Sequence, residues 1–115
     1  MANLGFDDVL VPAGTVATAS GVGAGFELDD KDQWRGQVTV TAASGTTPSL
    51  TVNVQTSHDN GATDAWRTVA SFAALTAAGS SPWNDFAGLD RWVRATWTIT
   101  GTTPSFTFGV AGEAV

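Results

Sequence analysis

Gly45-Thr46-Thr47-Pro48-Ser49-Leu50-Thr51-Val52-Asn53-Val54 returns later in the chain as Gly101-Thr102-Thr103-Pro104-Ser105-Phe106-Thr107-Phe108-Gly109-Val110. The offset is 101 − 45 = 56 residues, about half of the 115-residue chain. In each copy Gly-Thr-Thr-Pro reads as a turn, and an alternating stretch follows it. Period two places Leu50, Val52 and Val54 on one side of a strand and Thr51 and Asn53 on the other. Phe106, Phe108 and Val110 alternate with Thr107 and Gly109 in the same way. Proline fixes its own φ and drives the residue before it toward extended backbone. Thr47 and Thr103 are therefore expected to be extended.

Working outward, Val38, Val40 and Ala42 alternate with Gln37, Thr39 and Thr41, and Val93, Ala95, Trp97 and Ile99 alternate with Arg94, Thr96 and Thr98. Trp97 and Ile99 stand four and two residues before Gly101, whereas Val40 and Ala42 stand five and three before Gly45. The first copy carries one extra residue. Since a one-residue slip flips every side chain to the other face, a longer turn or a bulge is expected beside Ser44. Val9 to Pro12 reads as an edge strand, with further short strands at Ala17 to Ser20, Gly25 to Leu28 and Trp66 to Ala74. Trp83 to Phe86 reads as a brief edge, Ala73 to Ala78 as a possible helical turn, and Gly79 to Pro82 as loop.

The pattern implies an all-β fold: a single two-sheet antiparallel sandwich, jelly-roll-like, with about seven to eight strands. Residues 1–25, rich in Gly and Ala, read as an N-terminal arm or edge segment that orders on a neighbour, and residues 26–115 as the β-sandwich domain.

Only 14% of the residues are Asp, Glu, Lys or Arg, against a usual share of about 25%. Low charge with much Thr suits packed sheets and broad interfaces. The net charge is −6, from eleven acids and five bases. Lys31, Arg35, Arg67, Arg91 and Arg94 form no basic stripe of the kind that neutralises phosphates, so nucleic acid is not an expected partner. With no cysteine, disulfides, thiol catalysis and cysteine-zinc sites drop out. Met1 to Asp8 has neither a basic region nor a long apolar run. A signal peptide and a membrane span are not expected there, and synthesis in a cytosol is.

Candidate chemistry is sparse. His58, the one histidine, sits beside a turn, and Ser57-His58-Asp59 is a run of neighbours, whereas a triad converges from separate elements. Glu27, Asp29, Asp30 and Asp32, and separately Asp59, Asn60 and Asp64, offer oxygen ligands without calcium-loop spacing, and both read as polar turns. Ser57 to Thr63 followed by Trp66 resembles the Asp-box hairpin of sialidases with its tryptophan two positions late. It marks a β-turn, not sugar cleavage, which needs two opposed carboxylates. No catalytic residue, metal or cofactor is implied, and the glycines from 21 to 25 lack the lysine and helix of a phosphate loop. Of five tryptophans, Trp34 and Trp97 share the phase of core residues. Trp66, Trp83 and Trp92 are the candidate interface or ligand aromatics.

Val54 to Gly61, Trp66 to Phe72 and Leu89 to Val110, with Arg91-Trp92-Val93-Arg94-Ala95-Thr96-Trp97 at their centre, resemble small β-rich virion structural proteins of tailed bacteriophages. The likeness covers about residues 36–115. It implies a non-enzymatic virion component, most plainly a capsid decoration (cement) protein on the capsid surface. Such a protein binds the major capsid protein, self-associates as a homo-oligomer with a trimer favoured, and is made in the host bacterial cytoplasm. It transfers no functional residues. The alternatives are a carbohydrate-binding or adhesion module of a phage fibre or tail, and a head–tail connector component.

Overall fold

A computed structural model describes residues 8–28 and 32–114. Eight strands follow one another: β1 (Asp8–Ala17), β2 (Gly21–Val22), β3 (Phe26–Glu27), β4 (Trp34–Ser57), β5 (Arg67–Ser71), β6 (Gly79–Ser80), β7 (Asn84–Phe86) and β8 (Trp92–Ala114). The described residues contain no helix, and every strand pairing is antiparallel.

The two copies of the repeat lie within β4 and β8, strands of 24 and 23 residues, several times the usual length. They pair with each other from Trp34↔Ala114 to Ser57↔Trp92. Thr46 faces Thr102, which is its own counterpart in the repeat, since 46 + 56 = 102. An approximate two-fold axis therefore passes between these threonines. On one side of it, the first half of β4 and the second half of β8 form the centre of sheet I, flanked by β1 on β8 and by β6 and β7 on β4. On the other side, their remaining halves form the centre of sheet II, flanked by β2 and β3 on β8 and by β5 on β4. The sandwich is thus built by two long strands that pass together from one sheet into the other.

The crossing explains the repeated Gly-Thr-Thr-Pro and corrects two expectations. The phrase does not reverse the chain, because the strand continues through it. The threonines before proline are not extended: Thr47 and Thr103 have φ of 47° and 45°. The ring of a following proline bars the right-handed helical region, and the switch of sheet selects the left-handed one. Each hydroxyl donates to the preceding carbonyl at 2.8 Å. A β-branched residue held there stores strain on the order of 1–3 kcal/mol. Gly45 and Gly101 also have positive φ, 113° and 121°. A Cβ on Gly45 would lie 2.8 Å from Pro104 Cα, and one on Gly101 would lie 2.9 Å from Pro48 Cα. The two backbones touch, and only glycine fits between them.

The ladder is irregular beside Ser44, between Ser44 and Thr46, as expected, but the extra residue of the first copy is Thr41. Val40 pairs with Phe108 and Ala42 with Thr107, leaving Thr41 bulged out of the ladder. The bulge flips the phase, so Ala42 is exposed and Ala43 packs on the core instead. Other boundaries shift as well. Ala73 to Ala78 forms no helical turn, and Leu75 bridges Leu50 through a pair of backbone hydrogen bonds. The strand after Trp66 is confined to Arg67–Ser71, and the short strand after β1 begins at Gly21. Gly79–Ser80, read as loop, pairs with Thr39 and Val40.

The core lies between the layers. Val38, Val40, Phe106, Phe108 and Val110 from sheet I meet Leu50, Val52, Val54, Val93 and Ala95 from sheet II. Each of these side chains except that of Ala95 contributes about 1.5–3 kcal/mol by leaving water. Trp97 packs edge-on against Phe108 at 5.4 Å between centroids, and Phe72 against Phe86 at 5.2 Å. Leu10 and Val11 of β1 belong to the same buried cluster. Trp34 is wholly buried, and its indole N–H has no acceptor among the described residues.

Candidate functional site

The alternation that buries one side of β4 and β8 turns the other side outward. On sheet I that outer face carries Arg35, Gln37, Thr39 and Thr41 from β4 and Gly109, Ala111 and Glu113 from β8. A groove of about 400 Å³ runs over it, with small floor residues Gly109 and Ala111, the neutral side chains Gln37 and Thr39, and Val9 and Trp83 among its lining residues. Val9 and Trp83 are two of the four large exposed hydrophobic residues among the described ones, and Trp83 is 43% exposed.

The Trp83 loop is held by the strand beneath it. Ser81 N donates to Val38 O at 2.8 Å and Val38 N to Ser81 Oγ at 3.0 Å. Gln37 Nε2 donates to Ser81 O at 3.0 Å. A second hollow, sharing Trp83 with the groove, is lined by Arg35, Trp83, Asp85 and Glu113. There Arg35 Nε donates to Asp85 Oδ1 at 2.7 Å. That bond, then the charge pairing, raises the arginine pKa and lowers that of the carboxylate.

Sheet II presents a different outer face. Arg94 and Thr96 of β8 lie opposite Gln55 and Asn53 of β4. The Arg94 guanidinium sits over the Trp66 ring, 4.5 Å from its centroid. Arg94 Nε donates to Gln55 Oε1 at 2.8 Å, and Gln55 Nε2 donates to Thr68 Oγ1 at 3.2 Å. Partial burial pulls the arginine pKa below its ordinary value. Trp92 stands two residues before Arg94 in the same strand phase and is half-buried. Of the three candidate tryptophans, Trp66 and Trp92 thus share sheet II with Arg94, whereas Trp83 stands on sheet I.

The loop after β4 is organised by its own side chains. Ser57 Oγ donates to Asp64 O at 2.7 Å and accepts from Gly61 N at 2.8 Å. Asp59 accepts from Thr63 N at 2.9 Å, Asp64 N at 3.0 Å and the Thr63 hydroxyl. The Thr63 hydroxyl, followed by backbone N–H donors, holds the Asp59 carboxyl down at about 2. The Trp66 ring lies against Gly61, so the late tryptophan still closes the hairpin. His58 is exposed, as a turn histidine should be. Glu27 pairs with Arg91, while Asp29 and Asp30 lie outside the described residues. Among the described residues no three His, Cys, Asp or Glu side chains gather as metal ligands.

Gln37, Thr39 and Thr41 were legible as outward from alternation alone. Arg94 was missed as a site residue. Its strand phase pointed outward, but its partner Trp66 stands 28 positions away (94 − 66 = 28), and no local signal joins them.

No family model and no curated protein matches this chain. Solved structures do. Murine APRIL is 12% identical with a TM-score of 0.52, covering 91% of this chain and 96% of that one. A CBM4 structure is 17% identical with a TM-score of 0.50, covering 89% and 67%. The CBM22-1–GH10 modules of Clostridium thermocellum xylanase 10B, complexed with xylohexaose, are 11% identical with a TM-score of 0.48, covering 95% of this chain. The chain spans 27% of that protein. At these identities the likeness concerns the β-sandwich fold alone.

Proposed function

We propose that this chain is a structural protein of a tailed-phage virion, a capsid decoration protein that docks on the major capsid protein through the outer face of sheet I. The observation that carries the reading is the near-absence of charge on that face. Gln37, Thr39, Thr41, Thr107 and Ala111 pave its centre, and the charged Arg35, Asp85 and Glu113 gather at one end. Interface centres shed charge and favour tryptophan, and Trp83 overhangs this one. A cement protein offsets its lost translational freedom with contact area and with repeated copies. The resemblance of residues 36–115 to phage virion proteins supports the same setting, since these residues include all of β8 and all but the first two residues of β4.

Thr39→Arg puts a charge in the middle of the groove, and Thr98→Arg puts one on an exposed position of sheet II as a control. The first is expected to abolish binding to purified capsids that lack the chain, the second to preserve it, with both variants melting near wild type. Wild-type binding by Thr39→Arg would refute docking through sheet I.

A carbohydrate-binding module is the second reading, favoured by the lining of the same groove. An exposed indole beside the Gln37 amide and the Thr39 and Thr41 hydroxyls offers a sugar ring both a stacking surface and neutral hydrogen-bonding groups. On that reading glycans quench tryptophan fluorescence in the wild type and not in Trp83→Ala. Capsids are then bound equally by wild type and Thr39→Arg, or by neither.

A further inference from the structure

We propose that Arg94 anchors a second binding site, on the outer face of sheet II, for a carboxylate carried on a sugar ring. This inference is independent of what sheet I docks on. Among the described residues the other three arginines are each paired with a carboxylate: Arg35 with Asp85, Arg67 with Asp90 and Arg91 with Glu27. Arg94 is not. In a chain with eleven acids and five bases, an arginine left without a carboxylate is a departure from the pattern.

Its geometry is also fixed in advance. Gln55 takes the Nε–H, and Gln55 is itself braced by Thr68. Trp66 supports the plane of the guanidinium. These contacts leave the terminal amino groups with no partner among the described residues. A planar fork held this way accepts a carboxylate in bidentate fashion with little further loss of side-chain freedom.

The surroundings select what carries the carboxylate. Trp92 stands one step along the same strand face, and Asn53 and Thr96 continue the row, with Asn53 Nδ2 donating to Thr96 Oγ1 at 3.4 Å. The half-buried Trp92 indole and neutral hydrogen-bonding groups beside a guanidinium match a pyranose bearing one acid group. A bare Asp or Glu side chain would engage the fork alone. The net charge of −6 opposes dense polyanions at long range, so an isolated uronate on an otherwise neutral glycan fits better than a heavily charged polymer.

The test is a titration of the full chain with glucuronate, glucose, acetate and a capped Gly-Asp-Gly peptide. It is followed through tryptophan fluorescence and the Arg94 Nε–H signal in NMR. Glucuronate is expected to shift that signal saturably, at least roughly tenfold more tightly than glucose or acetate. Arg94→Lys, which keeps the charge and loses the fork, is expected to weaken binding by about the same factor, and Arg94→Gln to abolish it. Melting curves verify that both variants are folded. No glucuronate response, or one unchanged in Arg94→Gln, overturns the site. Acetate or the peptide binding as tightly as glucuronate overturns the sugar acid, and the peptide result would make a protein carboxylate the occupant.

Discussion

Replacing Gly45 with alanine tests the strand crossing more sharply than any truncation in the core. Two costs add. Alanine at a φ of +113° is strained by roughly 1–2 kcal/mol. Its Cβ would also stand 2.8 Å from Pro104 Cα and from Thr103 O, backbone atoms that cannot rotate away, for about 1–3 kcal/mol more. The expected total is about 3 kcal/mol. For a chain of 115 residues, an unfolding entropy of about 2.1 cal/mol/K per residue makes each kcal/mol worth roughly 4 °C. Gly45→Ala should then melt about 12 °C below wild type. Gly101→Ala, its counterpart across the approximate two-fold axis, should do the same. Gly79→Ala is the internal control: its φ is +146° but no atom lies within 4 Å of the added Cβ. It carries only the strain term and should lose about 4–8 °C. Thermal unfolding followed by near-ultraviolet circular dichroism reads all three. If Gly45→Ala and Gly101→Ala melt with Gly79→Ala, the backbones do not touch at the crossing and the argument fails.

Phe106→Ala, at a wholly buried position, should cost about 3–5 kcal/mol in urea unfolding. Val16→Ala, at a position 63% exposed, should change stability by less than about 0.5 kcal/mol. The Asp59 carboxyl is held at about 2 in the folded chain, below its ordinary 3.8. Its contribution is therefore complete above about pH 4 and lost as the pH falls from there toward 2. The melting difference between wild type and Asp59→Asn should be constant above pH 5 and shrink as the pH falls through about 2; a difference that grows, or keeps its neutral-pH value, on that descent would contradict the sign. Asp85→Asn breaks an ion pair whose side chains are 52% and 69% exposed. It should shift stability by less than about 1 kcal/mol, and added salt should not widen the difference.

The repeat and its alternation made the two-layer β fold legible, because period two marks a half-buried strand without reference to its partners. Val38, Val52, Phe106 and Phe108 point inward as their phase requires. The partnership of the copies was not legible. Gly-Thr-Thr-Pro is good turn chemistry in isolation. Only when Thr46 meets Thr102 does the phrase become a crossing at which each glycine makes room for the other copy's proline. The position of the bulge was hidden for a related reason. The extra residue could be counted from the sequence, but the ladder places it at Thr41, where β8 resumes with Thr107 opposite Ala42. For the sites, outward phase marked Gln37, Thr39 and Arg94 as surface positions but singled out none of them. The meeting of Trp83 with the sheet I groove, and of Trp66 with Arg94, depends on loops whose course no local pattern encodes.

The proposed role in a capsid is tested most directly by quantitative mass spectrometry of particles purified from a tailed phage whose genome encodes this chain. A copy number in fixed proportion to the major capsid protein is the result expected of a decoration protein. Only a few copies per particle, or none, would contradict it.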